Sequence, residues 1–277
     1  MSVVIARTRV ELSAALEGKG TVSLVPTMGA LHDGHLKLLE HATGFGDIVV
    51  ASIFVNPTQF APGEDFAEYP RTFDSDIERC EKAGVAVVFA PELGEMYPGG
   101  MGGIAVDPGP LGSVLEGASR PAHFRGVLTV VSKLFGLVRP DFAVFGEKDY
   151  QQLILIAEMS RDLCMGLEVV GCPSVREADG LAMSSRNRYL TAEQREQATA
   201  LSRALRAGIE QASVGADAVL KAAQAVIDDA PGVKLDYLEL TDAELGEPKP
   251  GEEARLLIAA RVGKPRLLDN AGLTLGS

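Results

Sequence analysis

The sequence predicts a doubly wound α/β fold, a parallel sheet with helices on both faces, followed by a smaller α+β C-terminal domain. Short apolar runs alternate with helical patterns through the first two thirds of the chain. One of those runs, residues 47–55 (DIVVASIFV), is apolar almost throughout, as a central parallel strand covered on both faces must be. After about residue 175 the alternation stops and two long helical patterns follow. Repeated β–α alternation needs crossover connections, so the first part reads as a Rossmann-like sheet.

Taken in order, residues 3–6 read as a short strand and 8–17 as a helix. Residues 21–25 form a buried strand that runs into PTMGALHDGH, residues 26–35. Leu36, Leu38 and Leu39 then open a helical pattern that lasts to residue 43. Residues 73–83 are helical and 85–89 strand-like. A Gly/Pro-rich stretch follows; its GGMGG segment matches neither the dinucleotide fingerprint nor a Walker A loop and reads as a turn. Residues 127–138 form a buried helix, 142–145 a strand, 150–163 a helix and 167–171 a strand. In the last third, 191–211 and 216–229 are helices, and Thr191 with Gln194 fits a capping box. Residues 235–240 and 254–262 are strand-like, with a polar segment between them.

The chain has 277 residues, 46% hydrophobic and 23% charged, enough for one large domain or two ordinary ones. Its net charge of −12 argues against a general nucleic-acid or anionic-membrane binder, which needs clustered Lys and Arg. A small anion held by a few local cations remains open. Cys80, Cys164 and Cys172 form no C-x-x-C pair and fit a reducing cytoplasm. No signal peptide and no apolar run of membrane-spanning length is visible.

Polar turns at strand ends carry the candidate chemistry. In an open α/β sheet, ligands bind at the carboxyl ends of strands. Residues 26–35 hold His32, His35, Asp33, Gly29 and Gly34 between a strand and a helix. The helix start presents backbone N–H groups and a positive dipole end to an anion, so phosphate is the expected ligand. A zinc site needs further ligands at fitting spacing, and no cysteine is near. His41 falls on another helix face and reads as packing or surface. After the next strand, Asn56 and Gln59 supply amides suited to hydroxyl and carboxylate groups, although Asn-Pro is also a plain turn signal. Arg120, His123 and Arg125 precede a helix and read equally as a solvated loop. Gly146, Glu147, Lys148 and Asp149 form a third strand-to-helix turn, with Gln152 just beyond. Met183, Ser184, Ser185 and Arg186 combine hydroxyls with a guanidinium, a set suited to phosphate.

The His-x-x-His turn and the Lys/Ser/Arg segments together resemble the HIGH and KMSKS elements of the nucleotidyltransferase superfamily. Within it the chain resembles the pantoate–β-alanine ligases, through PTMGALHDGH, SIFVNPTQF, YPRT, the RPxHFRGV segment, FGEKDYQQL and ADGLAMSSRNRYL. The resemblance is dense over residues 21–190. It implies that pantoate is activated by ATP as pantoyl-adenylate and then captured by β-alanine, with Mg²⁺ held mainly by ATP phosphates and no dedicated protein metal site. It further implies that Met28, Gly29, Ala30, Leu31, His32, Asp33, Gly34 and His35 bind ATP, with His35 as proton donor. Gly146, Glu147, Lys148, Asp149, Val175, Met183, Ser184, Ser185 and Arg186 also contact the nucleotide, Lys148 at a phosphate and Val175 at adenine. Gln59 and Gln152 hold pantoate, and Gln59 also meets β-alanine. Arg120 assists on the pantoate or phosphate side. Residues 1–175 would bind nucleotide and pantoate, and residues 176–277 would close over the site. A cytoplasmic homodimer completes the expectation.

Rival readings make different demands. An adenylyltransferase acting on a phosphorylated acceptor needs cations where this chain has Asn56 and Gln59. A tRNA-charging enzyme is disfavoured by the acidic charge. A regulatory nucleotide-binding module needs no acceptor-side amides.

Overall fold

The computed structural model describes residues 2–61, 63–64 and 66–276. These fall into two compact units. One holds the chain up to Glu147 together with Gln151–Cys172; the other holds Lys148–Tyr150 and the chain from Pro173 onward.

In the first unit the strands are β1 (Val4–Ala6), β2 (Val22–Thr27), β3 (Ile48–Ile53), β4 (Val87–Phe89), β5 (Phe142–Gly146) and β6 (Glu168–Cys172). Among the described residues they form one parallel sheet in the order β1-β4-β3-β2-β5-β6. Leu24, Val25, Val50, Ala51, Val88, Ala143 and Val144 are fully buried along the strand centres, as a doubly covered sheet demands. Between the strands run α1 (Arg9–Leu16), α2 (Asp33–Ala42), α3 (Phe73–Lys82), short α4 (Leu93–Met96) and α5 (Glu116–Ser119), α6 (His123–Val138) and α7 (Tyr150–Asp162). Strand order reverses between β2 and β5, so the chain leaves adjacent strand ends at Met28 and Glu147. Such a switch point opens a crevice outside the carboxyl ends of the strands.

Two helices start earlier than their apolar patterns suggest. Helix α2 begins at Asp33 because the His32 side chain caps it, a cap that hydrophobic periodicity cannot reveal. Helix α6 begins at His123, four residues before its continuous apolar face.

In the second unit α8 (Ala192–Ile209) and α9 (Ala216–Asp228) pack on an antiparallel sheet of β7 (Val233–Asp242), β8 (Glu253–Val262) and β9 (Arg266–Thr274). Leu201, Leu205, Val219, Leu256 and Ile258 form its centre. The Thr191–Gln194 capping box is present at the start of α8. The sequence reading assigns no element beyond residue 262, so β9 has no counterpart in it. Asp269 is buried in mid-strand, its charge met by two guanidinium contacts from Arg176 at 2.6 and 2.9 Å.

Helix α6 also sets the position of the acceptor turn. A Cβ at Gly126 would stand 2.3 Å from the Thr58 carbonyl oxygen, so only glycine lets α6 approach the 3₁₀ turn Pro57–Gln59 this closely. Gly126→Ala is expected to push that turn away and destabilise the fold by about 1–3 kcal/mol. Thermal unfolding would record the loss; an unchanged midpoint would show that the turn yields freely.

Candidate active site

The histidine turn is built from the end of β2. Thr27 Oγ1 donates to the Ser52 carbonyl at 2.7 Å and accepts the Gly29 N–H at 3.1 Å. Gly29 (φ 79°) and Ala30 (φ 52°) then take left-handed backbone, which reverses the chain. The N–H groups of Ala30 and Leu31 donate to the Asp76 carboxylate at 2.9 and 2.8 Å. His32 accepts the Gly34 N–H at Nδ1 (3.1 Å), and His35 accepts the His32 N–H at Nδ1 (3.3 Å). The two rings stand 4.1 Å apart between centroids.

Most of the turn's backbone N–H groups, which the sequence reading offered to a phosphate, are bonded inside the protein: those of Gly29, Ala30, Leu31, His32 and Gly34. What the turn presents chemically is its pair of imidazoles. A nitrogen that accepts a hydrogen bond carries no proton, so the neutral rings carry theirs on Nε2. Asp33, the first residue of α2, is exposed and pairs with Arg79 of α3 at 3.0 Å. His41, on the last turn of α2, packs edge-on against Phe45 at 5.2 Å.

The acceptor turn is more than a turn signal. Asn56 is fully buried; its Oδ1 accepts the Tyr97 hydroxyl at 2.8 Å and that of Thr58 at 3.0 Å. Its Nδ2 donates to Gln59 Oε1 at 3.3 Å and to the Gly126 carbonyl at 3.2 Å. Gln59 Nε2 in turn donates to Met28 Sδ at 3.1 Å, which ties the amide to the histidine turn. Burial pushes the Tyr97 phenol up, so it stays a neutral donor that orients Asn56.

Arg120 and His123 serve the same turn rather than forming a solvated loop. Arg120 grips Glu64 at 2.8 and 2.6 Å, and its Nη2 donates to the Gln59 carbonyl at 3.3 Å. His123 Nδ1 lies 3.0 Å from the same oxygen. The guanidinium holds the Glu64 carboxyl below the usual range. Gln152 on α7 is half-buried. Its neighbour Gln151 is buried and bonded to the carbonyls of Leu111 and Val114.

The second unit gathers another part of the expected set. Lys148, Ser184 and Arg186 line one small pocket with Asn187 and Asp269. Lys148 Nζ lies 3.5 Å from Asp149, and its carbonyl accepts the Asn270 amide at 2.9 Å. Val175 accepts the Met183 N–H at 2.9 Å, closing a small hairpin. Ser184 caps a 3₁₀ turn, Ser185–Tyr189, and Asn187 Nδ2 anchors it to Glu177 at 2.7 Å. Arg195 holds Glu177 and Asp179 at 2.5 and 2.8 Å. Gly146 and Glu147, at the end of β5, belong to the first unit.

Among the described residues, no three His, Cys, Asp or Glu side chains converge as metal ligands. No helix of the described residues is long and apolar enough to cross a membrane. Cys80 is buried and its thiol pushed up to about 12, first by burial and then by the nearby charge of Asp76, so it is no nucleophile. Sequence reasoning missed Asp76, Tyr97, Glu64 and Asp269. Each acts through a partner distant in sequence, and no local pattern announces it.

A family model described as pantoate-beta-alanine ligase matches residues 4–272. The chain is 57% identical over 288 residues to the pantothenate synthetase of a Nocardioides species, covering 99% of this chain and 86% of that protein. It is 57% identical over 273 residues to that of Salinispora arenicola, covering 97% and 96%. The crystal structure of pantothenate synthetase from Thermus thermophilus superposes with a TM-score of 0.90 at 47% identity, covering 97% and 99%. A Francisella tularensis pantoate-beta-alanine ligase complexed with beta-gamma ATP and beta-alanine superposes with a TM-score of 0.80 at 34% identity, covering 97% of each chain.

Two measurements test this geometry. Nitrogen-15 spectra of the histidine side chains at neutral pH are expected to show His32 and His35 protonated on Nε2 alone; an Nδ1–H signal from either would refute the caps. The Glu64–Arg120 pair predicts an acid limb. Its carboxyl is lowered from 4.5, so its contribution is whole above that value and fades as pH falls through the lowered folded value. The stability gap between wild type and Glu64→Gln, about 1 kcal/mol at neutral pH, should therefore shrink toward acid. A gap independent of pH would exclude the pair as its source.

Proposed function

The chain belongs to the pantoate–β-alanine ligase family, and on that premise we propose how its residues divide the reaction. The enzyme binds ATP and uses it to condense pantoate with β-alanine. A pantoate carboxylate oxygen attacks the α-phosphorus of ATP, the bond to the bridging oxygen breaks and pyrophosphate leaves. The β-alanine amine then attacks the acyl carbon of pantoyl-adenylate. The acyl–oxygen bond breaks, AMP departs, and the amine's proton passes to solvent. No protein nucleophile is required, so positioning and charge stabilisation are the enzyme's share.

Residues 28–35 lie along the ATP phosphates, with His32 and His35 donating from Nε2 as negative charge builds on the leaving oxygens. Gln59 and Gln152 hold pantoate, and Gln59 also meets the β-alanine amine. The contact between Gln59 and Met28 carries this reading, because it puts an acceptor-side amide on the turn that bears the imidazoles. Gly146, Glu147 and Asp149 meet the nucleoside, and Lys148 a phosphate. The Val175 backbone meets adenine. Met183, Ser184, Ser185 and Arg186 form a segment that closes on phosphate. Arg120, held by Glu64 and Gln59, supports the pantoate turn from behind. Mg²⁺ would be held mainly by the ATP phosphates, with no dedicated protein ligand set, and would supply charge neutralisation there. We place the enzyme in the cytoplasm as a homodimer.

A coupled assay for AMP tests the function. With ATP, Mg²⁺, (R)-pantoate and β-alanine present, AMP is expected, and omission of any one should abolish it. AMP formed without pantoate would overturn the reading.

A further inference from the structure

We propose that Asp76 is a positioning residue for the His32/His35 pair, acting through the backbone of the turn that carries them. The inference rests on the proposed role of that pair. Asp76 lies on α3, with 1% of its surface exposed, and makes no ion pair among the described residues. Its charge is met by the N–H groups of Ala30 and Leu31 and by the Thr72 hydroxyl, 3.2 Å from each carboxylate oxygen. A buried carboxylate without a cation is costly and persists only where its hydrogen bonds are complete.

The two N–H groups it takes are consecutive and immediately precede His32. They belong to the stretch where Gly29 and Ala30 hold left-handed backbone, and a Cβ at Gly29 would stand 3.0 Å from Asp76 Oδ2. One carboxylate therefore fixes how the chain enters the cap of α2. From the next turn of α3, Arg79 grips Asp33, the residue between the capping His32 and Gly34. Helix α3 thus holds the turn on both sides of His32. Each ring's Nδ1 is tied to this backbone, so a shift at Ala30 or Leu31 moves both imidazoles. Misplacement of a catalytic donor by about 1 Å lowers a rate by up to about a hundredfold.

The test separates the half-reactions. Asp76→Asn keeps shape but turns an amide donor toward a backbone donor. It is expected to lower kcat for pantoate-dependent pyrophosphate release by about 10–100-fold. The KM for pantoate should stay unchanged, as should the rate at which β-alanine captures supplied pantoyl-adenylate. Thr72→Val, which removes only the hydroxyl behind the carboxylate, should shift the ratio of half-reactions the same way by less. It decides the matter if Asp76→Asn does not fold. A merely structural residue would lower both half-reactions together, and that result, or a wild-type ratio, overturns the proposal. His35→Ala measured alongside separates the two readings. Loss there with a wild-type ratio in Asp76→Asn overturns Asp76 alone; wild-type adenylation in His35→Ala overturns both.

Discussion

The reversal of strand order between β2 and β5 is the constraint on which the site depends. Parallel strands need crossover helices, and where order reverses the two connections leave adjacent strand ends and diverge. The main chain must therefore turn sharply after Thr27 while staying in the sheet's hydrogen-bond ladder as far as that residue. Thr27 meets both demands, donating to Ser52 on β3 while receiving the Gly29 N–H. The left-handed Gly29–Ala30 pair follows directly from that geometry.

Left-handed backbone at Ala30 costs about 1–2 kcal/mol, which glycine at 29 avoids. Hydrogen bonds from N–H groups to a carboxylate are each worth about 1.5–3 kcal/mol, so the two that Asp76 accepts outweigh the strain. The consequence is chemical. With the N–H groups of Gly29, Ala30, Leu31, His32 and Gly34 bonded inside the protein, much of any phosphate contact at this turn would fall to side chains. Imidazoles tied down at Nδ1 are suited to it, because one tautomer and one orientation are fixed before any ligand arrives.

Most of the architecture was legible in the sequence, since strand-sized apolar runs and 3.6-residue periodicity report burial directly. The histidine, amide and Lys/Ser/Arg segments were legible too, being contiguous in the chain. What escaped shares one property. Asp76 answers to Ala30 and Leu31, Tyr97 to Asn56, Glu64 to Arg120 and Asp269 to Arg176. In each case a polar group is buried or half-buried because a partner far along the chain satisfies it, and separation in sequence hides the pair. Strand β9, which the sequence reading leaves unassigned, also depends on distant partners: its Asp269 and Asn270 are met by Arg176 and the Lys148 carbonyl.

The same partners explain how a chain of net charge −12 can be built for a triphosphate. Arg79, Arg120, Arg176 and Arg195 are each committed to a carboxylate. They organise turns and do not form an open basic surface. Arg186 makes no ion pair among the described residues, and Lys148 lies beside only its own neighbour, Asp149. A permanent cation attracts a phosphate before and after reaction alike, whereas an oriented neutral donor favours the geometry in which charge is building. Four arginines of this acidic chain are thus fixed to carboxylates, and the two imidazoles held at Nδ1 are its oriented neutral groups. A strongly basic pocket would hold the pyrophosphate it must release.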